Sequence, residues 1–370
     1  MRVGIPREIK NNEYRVAITP AGVAELTRRG HDVVIEHEAG TGSAIADTDF
    51  KEAGAQILGT AHEVWEQADL LLKVKEPIAP EYQLMREGQT IFTYLHLAAS
   101  RPCTDALLTS GTTAIAYETV QAADGSLPLL APMSEVAGRL APQVGAYHLM
   151  RSAGGRGVLM GGVPGTAPAE VVVIGGGVSG VNAATIAVGM GAEVTVFDLD
   201  ISKLRAIDAR WGGRVHTRYS TKLDLDEAIK KADLVIGAVL VPGAKAPVLV
   251  PNSLVAQMKP GSVLVDIAID QGGCFEDSRP TTHDDPTFMV HDSVFYCVAN
   301  MPGSVARTST MALTGATLPH VLRLADLDWV DALRRDPALA KGLSTHQGEL
   351  LCPHVSEALD IPLGTSPLTA

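Results

Sequence analysis

Short apolar runs of strand length punctuate the first 120 residues, each followed by a polar or helix-patterned stretch. MRVGI opens the chain as a predicted strand. Thr19-Pro20 supplies a helix cap and first helical residue, AGVAELTRR the helix, Gly30 its terminator and DVVIE the next strand. Runs at Leu70 to Val74, Thr90 to Leu97 and Thr113 to Glu118 continue the rhythm. Such continuous runs belong to strands covered on both faces, so the pattern predicts a parallel sheet in an α/β fold.

A helix-patterned stretch from Ser134 to Met150 follows, in which Pro142 is expected to kink or divide the helix. Six glycines fall within Ser152 to Gly165, and this spacing reads as a hinge or linker between domains. A second βαβ series begins at Val171, with runs at Val171 to Ile174, Glu193 to Phe197, Leu234 to Val239, Ser262 to Ile269 and Ser293 to Val298. After about Val305 the pattern turns helical, through TSTMALTGATLPHVLRLA and DPALAKG, to a proline-containing tail. Those helices follow a series that is already complete, so they are expected to return to the first domain. The expected division is 1–128 plus 306–370 as a substrate domain and 129–305 as a nucleotide-binding Rossmann domain.

Composition narrows the partners. With 46% hydrophobic and 19% charged residues, the 370-residue chain buries substantial cores and lacks the balance of a disordered one. A net charge of −12 without any Lys/Arg block leaves no footprint for nucleic acid, so the expected partner is a small molecule. Cys103, Cys274, Cys297 and Cys352 form no C-x-x-C pair, and no metal site is expected. Charges at Arg2, Arg7, Glu8 and Lys10 precede any long apolar run, and no run reaches the length of a membrane span. The expectation is a cytoplasmic protein with reduced thiols and no membrane partner.

The sharpest local signal is VVVIGGGVSGVNAATIAVGMGAEVTVFDLD. An apolar strand runs into Gly175, Gly177 and Gly180 in G-x-G-x-x-G order, and an Ala-rich helix follows. Gly175 allows the tight turn, Gly177 lets the backbone approach a pyrophosphate, and Gly180 permits close helix-on-strand packing at a helix N-terminus that favours anions. Asp198 closes the next strand 18 residues past Gly180, placed to accept hydrogen bonds from an adenosine ribose. Its charge favours NAD over NADP, although Lys203 and Arg205 partly offset the repulsion of a 2′-phosphate.

Four ionisable residues sit where α/β proteins place their chemistry, at or beyond the carboxyl ends of strands. They are Arg15 in NNEYR, Lys75 in LLLKVK, His96 in TIFTYLH and Asp270 in VLVDIAID, ahead of Gln271-Gly272-Gly273. Each has a plain alternative: a solvated loop arginine, a lysine paired with Glu76, a packed histidine, a turn-forming aspartate. Together they offer two cations for a carboxylate, a titratable imidazole and a carboxylate near a nicotinamide, which suits hydride transfer involving a 2-oxo or 2-imino acid.

MRVGIPREIKNNEYRVAITP, LLLKVKEP, TYLHLA, LAPMSEVAGRLAPQVGAYHLM, GRGVLMGGVPGTAPAEVVVIGGGVSG, VLVDIAIDQGGCFEDSRPTTH and VANMPGSVARTSTMALT closely resemble the NAD-dependent L-alanine dehydrogenases, in blocks from residue 1 to about residue 350. The resemblance implies reversible oxidative deamination of L-alanine to pyruvate and ammonium, an oxidoreductase of L-alanine catabolism. It also implies two Rossmann-like doubly wound domains with a cleft between them, usually assembled as a homohexamer. It makes His96 the acid-base residue and Asp270 its catalytic partner, with Arg15 and Lys75 on the substrate carboxylate; Met133 and Asn300 are, apart from the resemblance, the candidates for pocket lining. For NAD it points to Ser134, Val178, Asp198, Lys203, Ser220, Val239, Leu240, Ile267 to Asp270, Arg279 and Val298 to Met301 (Val298, Asn300 and Met301 among them). Two other readings share parts of this pattern. The NAD(H)-binding subunit of a proton-translocating transhydrogenase has a similar linker and glycine loop but no chemical reason to assemble Arg15, Lys75, His96 and Asp270. A lysine- or saccharopine-forming dehydrogenase needs a group for a distal charge, which neither Met133 nor Asn300 supplies.

Overall fold

The computed structural model describes residues 1–239 and 246–369. It comprises two compact units, Met1–Met133 with Val305–Ala370, and Ser134–Ser304. Both are α/β.

In the first unit, strands β1 (Arg2–Ile5), β2 (Asp32–Glu36), β3 (Gln56–Leu58), β4 (Leu70–Leu72), β5 (Thr90–Thr93) and β6 (Thr113–Ala116) lie in the order β6-β5-β4-β1-β2-β3. Every neighbouring pair among them is parallel. The helix Pro20–Arg28 starts as its sequence dictates: Thr19 accepts from the Gly22 N–H, and Pro20 occupies a position whose N–H is not needed. Its Gly22, Val23 and Leu26 face the core. The segment after Val305 adds the helical stretch Ala306–Arg335, interrupted at Asp328, and then two strands that the sequence pattern missed. Leu343–His346 pairs antiparallel with β6, and Glu349–Leu350 pairs antiparallel with it in turn. Their connection is Gln347-Gly348, with φ of +46° and +82°, the all-positive pair a tight hairpin requires. Helical periodicity just upstream hid a strand pair only a few residues long.

In the second unit, β7 (Glu170–Ile174), β8 (Glu193–Asp198), β9 (Val215–Tyr219), β10 (Leu234–Gly237), β11 (Val263–Asp266), β12 (Thr287–Val290) and β13 (Ser293–Tyr296) lie in the order β12-β13-β11-β10-β7-β8-β9. Omitting β12, which is antiparallel at the edge, this is the 3-2-1-4-5-6 order of dinucleotide-binding sheets. Alternate residues serve opposite cores: Val171 and Val173 belong to one apolar cluster, Val172 and Ile174 to another. Burial of both faces explains why the strands read as unbroken apolar runs. β9 was not legible because His216, Arg218 and Tyr219 leave it with little apolar run.

The structure bears on two local expectations. Helix Ala131–His148 runs through Pro142 without dividing. The glycines at 152–165 lie inside the second unit and are packed there: a Cβ on Gly155 would meet the His148 carbonyl at 2.1 Å, and Arg156 N–H donates to the Gly261 carbonyl. Gly155, Gly161 and Gly162 serve close backbone approach and Gly154, Gly157 and Gly165 turns of positive φ, all within one unit and not as a linker between units.

Candidate active site

Strands β5, β4 and β1 are sheet neighbours, so the loops leaving their carboxyl ends emerge side by side. Those loops carry His96, Lys75 and Arg15 respectively. Residues separated by up to 81 positions are thereby brought to one edge of one sheet.

Arg15 is 2% exposed, which excludes the solvated-loop alternative. Its Nε donates to Glu13 Oε1 at 2.7 Å and its Nη2 to Glu13 Oε2 at 2.5 Å, a bidentate pair. Nη1 lies 2.9 Å from Met133 Sδ, so two of the expected substrate residues touch. Burial works to raise the Glu13 carboxyl, but Arg15 outweighs it with Lys75 contributing, and the group sits below its ordinary range.

Beneath Lys75 lies a buried charge cluster. Glu8 Oε1 accepts from the Val74 N–H at 2.6 Å and the Lys75 N–H at 3.3 Å, while Oε2 takes the Lys73 ammonium at 3.0 Å. Lys73 is fully buried and also donates to Glu81 at 2.8 Å. Burial would discharge Lys73, yet its two carboxylate partners hold its pKa above the ordinary lysine value. Burial also raises the Glu8 carboxyl, against the pull of Lys73. The loop exit that carries Lys75 is thus fixed by its backbone.

His96 has a left-handed backbone, φ +49°, a conformation uncommon outside glycine and concentrated at functional sites. Glu118 stabilises it: Oε1 accepts from the His96 N–H at 2.7 Å, and both oxygens stand 3.2 Å from the Leu95 N–H. Among the described residues the buried imidazole Nδ1 has no hydrogen-bond partner, and neither has Glu76 Oε2. Lys10 bonds the other Glu76 oxygen. Tyr94 packs edge-on to the His96 ring at 5.8 Å and donates its hydroxyl to the Leu129 carbonyl.

The second unit holds the glycine loop. Gly175 has φ +105°, and a Cβ there would meet the Ala238 carbonyl at 2.6 Å. At Gly180 a Cβ would stand 1.7 Å from the Gly175 carbonyl oxygen, whereas at Gly177 it would meet no atom of the described residues within 4 Å. Two glycines are therefore demanded by the protein's own packing, and the third leaves open space at the N-cap of helix Val178–Gly189. Val178, the first residue of that helix, is exposed. Asp198 Oδ2 accepts from the Gly176 N–H at 2.6 Å and stands 3.7 Å from the Lys203 ammonium, while Oδ1 accepts from the Asp200 N–H at 2.8 Å. Ser220 donates its N–H to the Asp198 carbonyl. An open cradle at a helix N-terminus, bordered by a carboxylate at the end of the next strand, fits a dinucleotide.

Val239 follows β10, and a Cβ on Gly175 would come within 3.2 Å of its amide nitrogen. Leu240 lies outside the described residues. Ser134 is half-buried in helix Ala131–His148. Asp270 is exposed on the turn Ile267–Gln271 after β11, and half-buried Ile267 packs on the core. Arg279 stacks over Phe288, 4.2 Å from the ring centroid. The Val298 and Met301 side chains belong to the core, so any ligand contact there would fall to the backbone. Asn300 has φ +70° and accepts on its carbonyl from His283.

Sequence reasoning passed over Glu8, Glu13, Glu118 and Asp266. Glu13 had a signal, an acidic residue two places before Arg15, and Asp266 another, a carboxylate closing an apolar run. Nothing in the sequence marks Glu118 as the partner of a histidine 22 residues away.

One unit with a 3-2-1-4-5-6 sheet and a glycine cradle, and another that gathers cations and an imidazole at one sheet edge, define a nucleotide-dependent oxidoreductase. Family models described as alanine dehydrogenase/PNT, N-terminal domain and C-terminal domain match residues 4–137 and 141–353. The chain belongs to the alanine dehydrogenase/PNT family. It is 75% identical to an alanine dehydrogenase of Mycolicibacterium smegmatis over 98% of each chain, and 56% identical to one of Halomonas elongata over 98% of this chain and 97% of the relative. Among solved structures, an L-alanine dehydrogenase superposes with TM-score 0.95 at 50% identity, covering 98% of this chain and all of the other. A transhydrogenase from Sinorhizobium meliloti superposes with TM-score 0.81 at 28% identity, covering 95% and 99%.

Proposed function

We propose that this chain is an NAD-dependent L-alanine dehydrogenase, catalysing reversible oxidative deamination of L-alanine to pyruvate and ammonium. The observation that carries the reading is the end-to-end similarity to relatives named alanine dehydrogenase, at 52–75% identity over 98% of this chain. The unit Met1–Met133 with Val305–Ala370 handles the substrate and the unit Ser134–Ser304 the dinucleotide.

Gly175, Gly177, Gly180 and Val178 would cradle the pyrophosphate, with Asp198, Lys203 and Ser220 at the adenosine ribose. Ser134, Val239, Leu240, Ile267 to Asp270, Arg279 and Val298 to Met301 would complete the site. When bound, NAD+ accepts the hydride from the alanine Cα. Arg15 and Lys75 bind the substrate carboxylate, which fixes the Cα–H direction and gains chiefly through orientation. The Met133 thioether, held against Arg15, lines the methyl side with Asn300 nearby in role, and neither brings a charge that a longer substrate would need. After oxidation His96 moves the protons for water addition to the iminium and expulsion of the amine; in reverse, protonated His96 polarises the pyruvate carbonyl. Asp270 steadies the cationic iminium or shares the proton traffic.

No helix among the described residues is long and apolar enough to cross a membrane. A cytoplasmic homohexamer acting on free small molecules is the assembly we propose. The test is absorbance of NADH with purified protein, NAD+ and a panel of L-alanine, L-serine, L-lysine and glycine at alkaline pH. Strong NADH production with L-alanine and little with the others is expected. Silence across the panel, with NADH still bound, would overturn the reading in favour of a transhydrogenase subunit.

A further inference from the structure

Asp266 closes β11, and its carboxylate is completely buried. Its oxygens face two directions along one loop. Oδ1 accepts from the Ala268 N–H at 3.0 Å, capping the turn Ile267–Gln271 at its start. Oδ2 accepts from the Cys274 N–H at 2.9 Å and from the Ser278 hydroxyl at 2.6 Å, where the loop leaves. One carboxylate therefore fastens both the entrance and the exit of the segment that presents Asp270.

The surroundings are shaped to this group. A Cβ on Gly273 would come within 2.7 Å of Oδ2 and 2.6 Å of the Ser278 Cβ. A Cβ on Gly237 would meet the Cys274 Sγ at 2.3 Å and Oδ1 at 3.2 Å. Gly272 and Gly273, at φ +91° and +78°, turn the chain back so that Cys274 reaches the carboxylate. Among the described residues no cation pairs with Asp266, and burial raises its carboxyl against the hydrogen bonds that lower it. A turn needing only a cap is served by serine or asparagine in that place. Burying a carboxylate instead is costly, and what it adds is acceptor capacity for four donors from two ends of a loop, the Cys274 thiol at 3.6 Å from Oδ1 among them.

We infer that Asp266 is a positioning residue for the reaction: by tying the Ala268 and Cys274 amides to one carboxylate, it sets where Asp270 stands. The inference rests on the role proposed above for Asp270. Asparagine at 266 has the same shape but turns one acceptor into a donor, opposed to an N–H or hydroxyl. Displacing a catalytic group by about 1 Å costs on the order of 100-fold.

The experiment compares Asp266→Asn, Ser278→Ala and Asp270→Asn by steady-state kinetics, thermal unfolding and amide hydrogen exchange in the full-length protein. Asp266→Asn is expected to lower kcat by about 10- to 100-fold, with the alanine KM within about threefold. Exchange should accelerate at residues 267–274 while β7 and β10 stay protected. Ser278→Ala, which leaves both amide bonds to Asp266 in place, should show a smaller fall in the same direction, and it decides the matter if Asp266→Asn does not fold. Normal kcat in these variants, or a fall in kcat with exchange at 267–274 unchanged, would overturn the inference. Full activity in Asp270→Asn with wild-type exchange would instead remove the role of Asp270 itself, so the two failures are separable.

Discussion

Glu13 and Arg15, two residues apart in the loop after β1, form a bidentate ion pair with both side chains removed from solvent. The pair sets the guanidinium in place before any substrate arrives, which limits the entropy lost on binding a carboxylate. Removing one partner of a buried pair leaves the other charge uncompensated at about 3–5 kcal/mol. Glu13→Ala should therefore unfold at markedly lower urea concentration than wild type at neutral pH. The Glu13 carboxyl sits below its ordinary 4.5, so its contribution is complete above that pH and is lost as pH falls through the lowered value. The gap between wild type and Glu13→Ala, followed by urea unfolding from pH 6 downward, should accordingly narrow only below about 4.5. A gap that widens on acidification would show that the sign assigned to Glu13 is wrong.

The glycine loop separates packing from ligand approach. Gly177→Ala adds a methyl into space with no atom of the described residues within 4 Å, so thermal stability should stay close to wild type. NADH affinity should nevertheless fall at least about tenfold, or roughly 1.4 kcal/mol, because the methyl occupies the pyrophosphate approach. Gly180→Ala forces a Cβ to 1.7 Å from the Gly175 carbonyl and should cost about 1–3 kcal/mol of stability as well. Calorimetric titration with NADH beside thermal unfolding checks both, and equal destabilisation by the two substitutions would refute the assignment.

Asp198 acts on the protein and, in the proposed site, would act on the coenzyme as well. Its carboxylate holds the Gly176 amide and stands beside Lys203. In Asp198→Ala the repulsion of a 2′-phosphate disappears while the Lys203 charge remains. The ratio of kcat/KM for NADP+ to that for NAD+ should rise at least about tenfold, a shift of roughly 1.4 kcal/mol, with the NAD+ KM also higher. An unchanged ratio would mean that the carboxylate does not face the ribose.

His96 combines a left-handed backbone with an unpartnered ring nitrogen. Asparagine tolerates that backbone, so His96→Asn should fold with near-normal stability and bind NADH within about threefold of wild type. Turnover should drop by about 100- to 10,000-fold with the loss of general acid-base catalysis. Retention of turnover in a folded His96→Asn would show that another group carries the protons.

Much of this architecture was legible because both sheets are buried on two faces, which writes each strand as an apolar run. The Thr19-Pro20 cap and the Gly175, Gly177 and Gly180 loop were readable for the same reason: each residue type answers a local backbone requirement. What escaped was long-range or polar. β9 lies at a sheet edge and carries charges, the Leu343–His346 hairpin is only a few residues long, and the Ser152 to Gly165 glycines satisfy close packing that no local pattern reveals. The supporting carboxylates Glu8 and Glu118 act on backbone amides of other segments, and such partnerships exist only once the sheet has ordered those segments.

The central claim is that hydride moves from the Cα of L-alanine to NAD+. Its most direct test is incubation of the purified protein with NAD+ and L-alanine deuterated at Cα, followed by mass analysis of the reduced coenzyme and of pyruvate. The account predicts one deuterium in each reduced nicotinamide for each pyruvate formed. Unlabelled NADH, or labelled alanine left intact while NADH still binds, would contradict it.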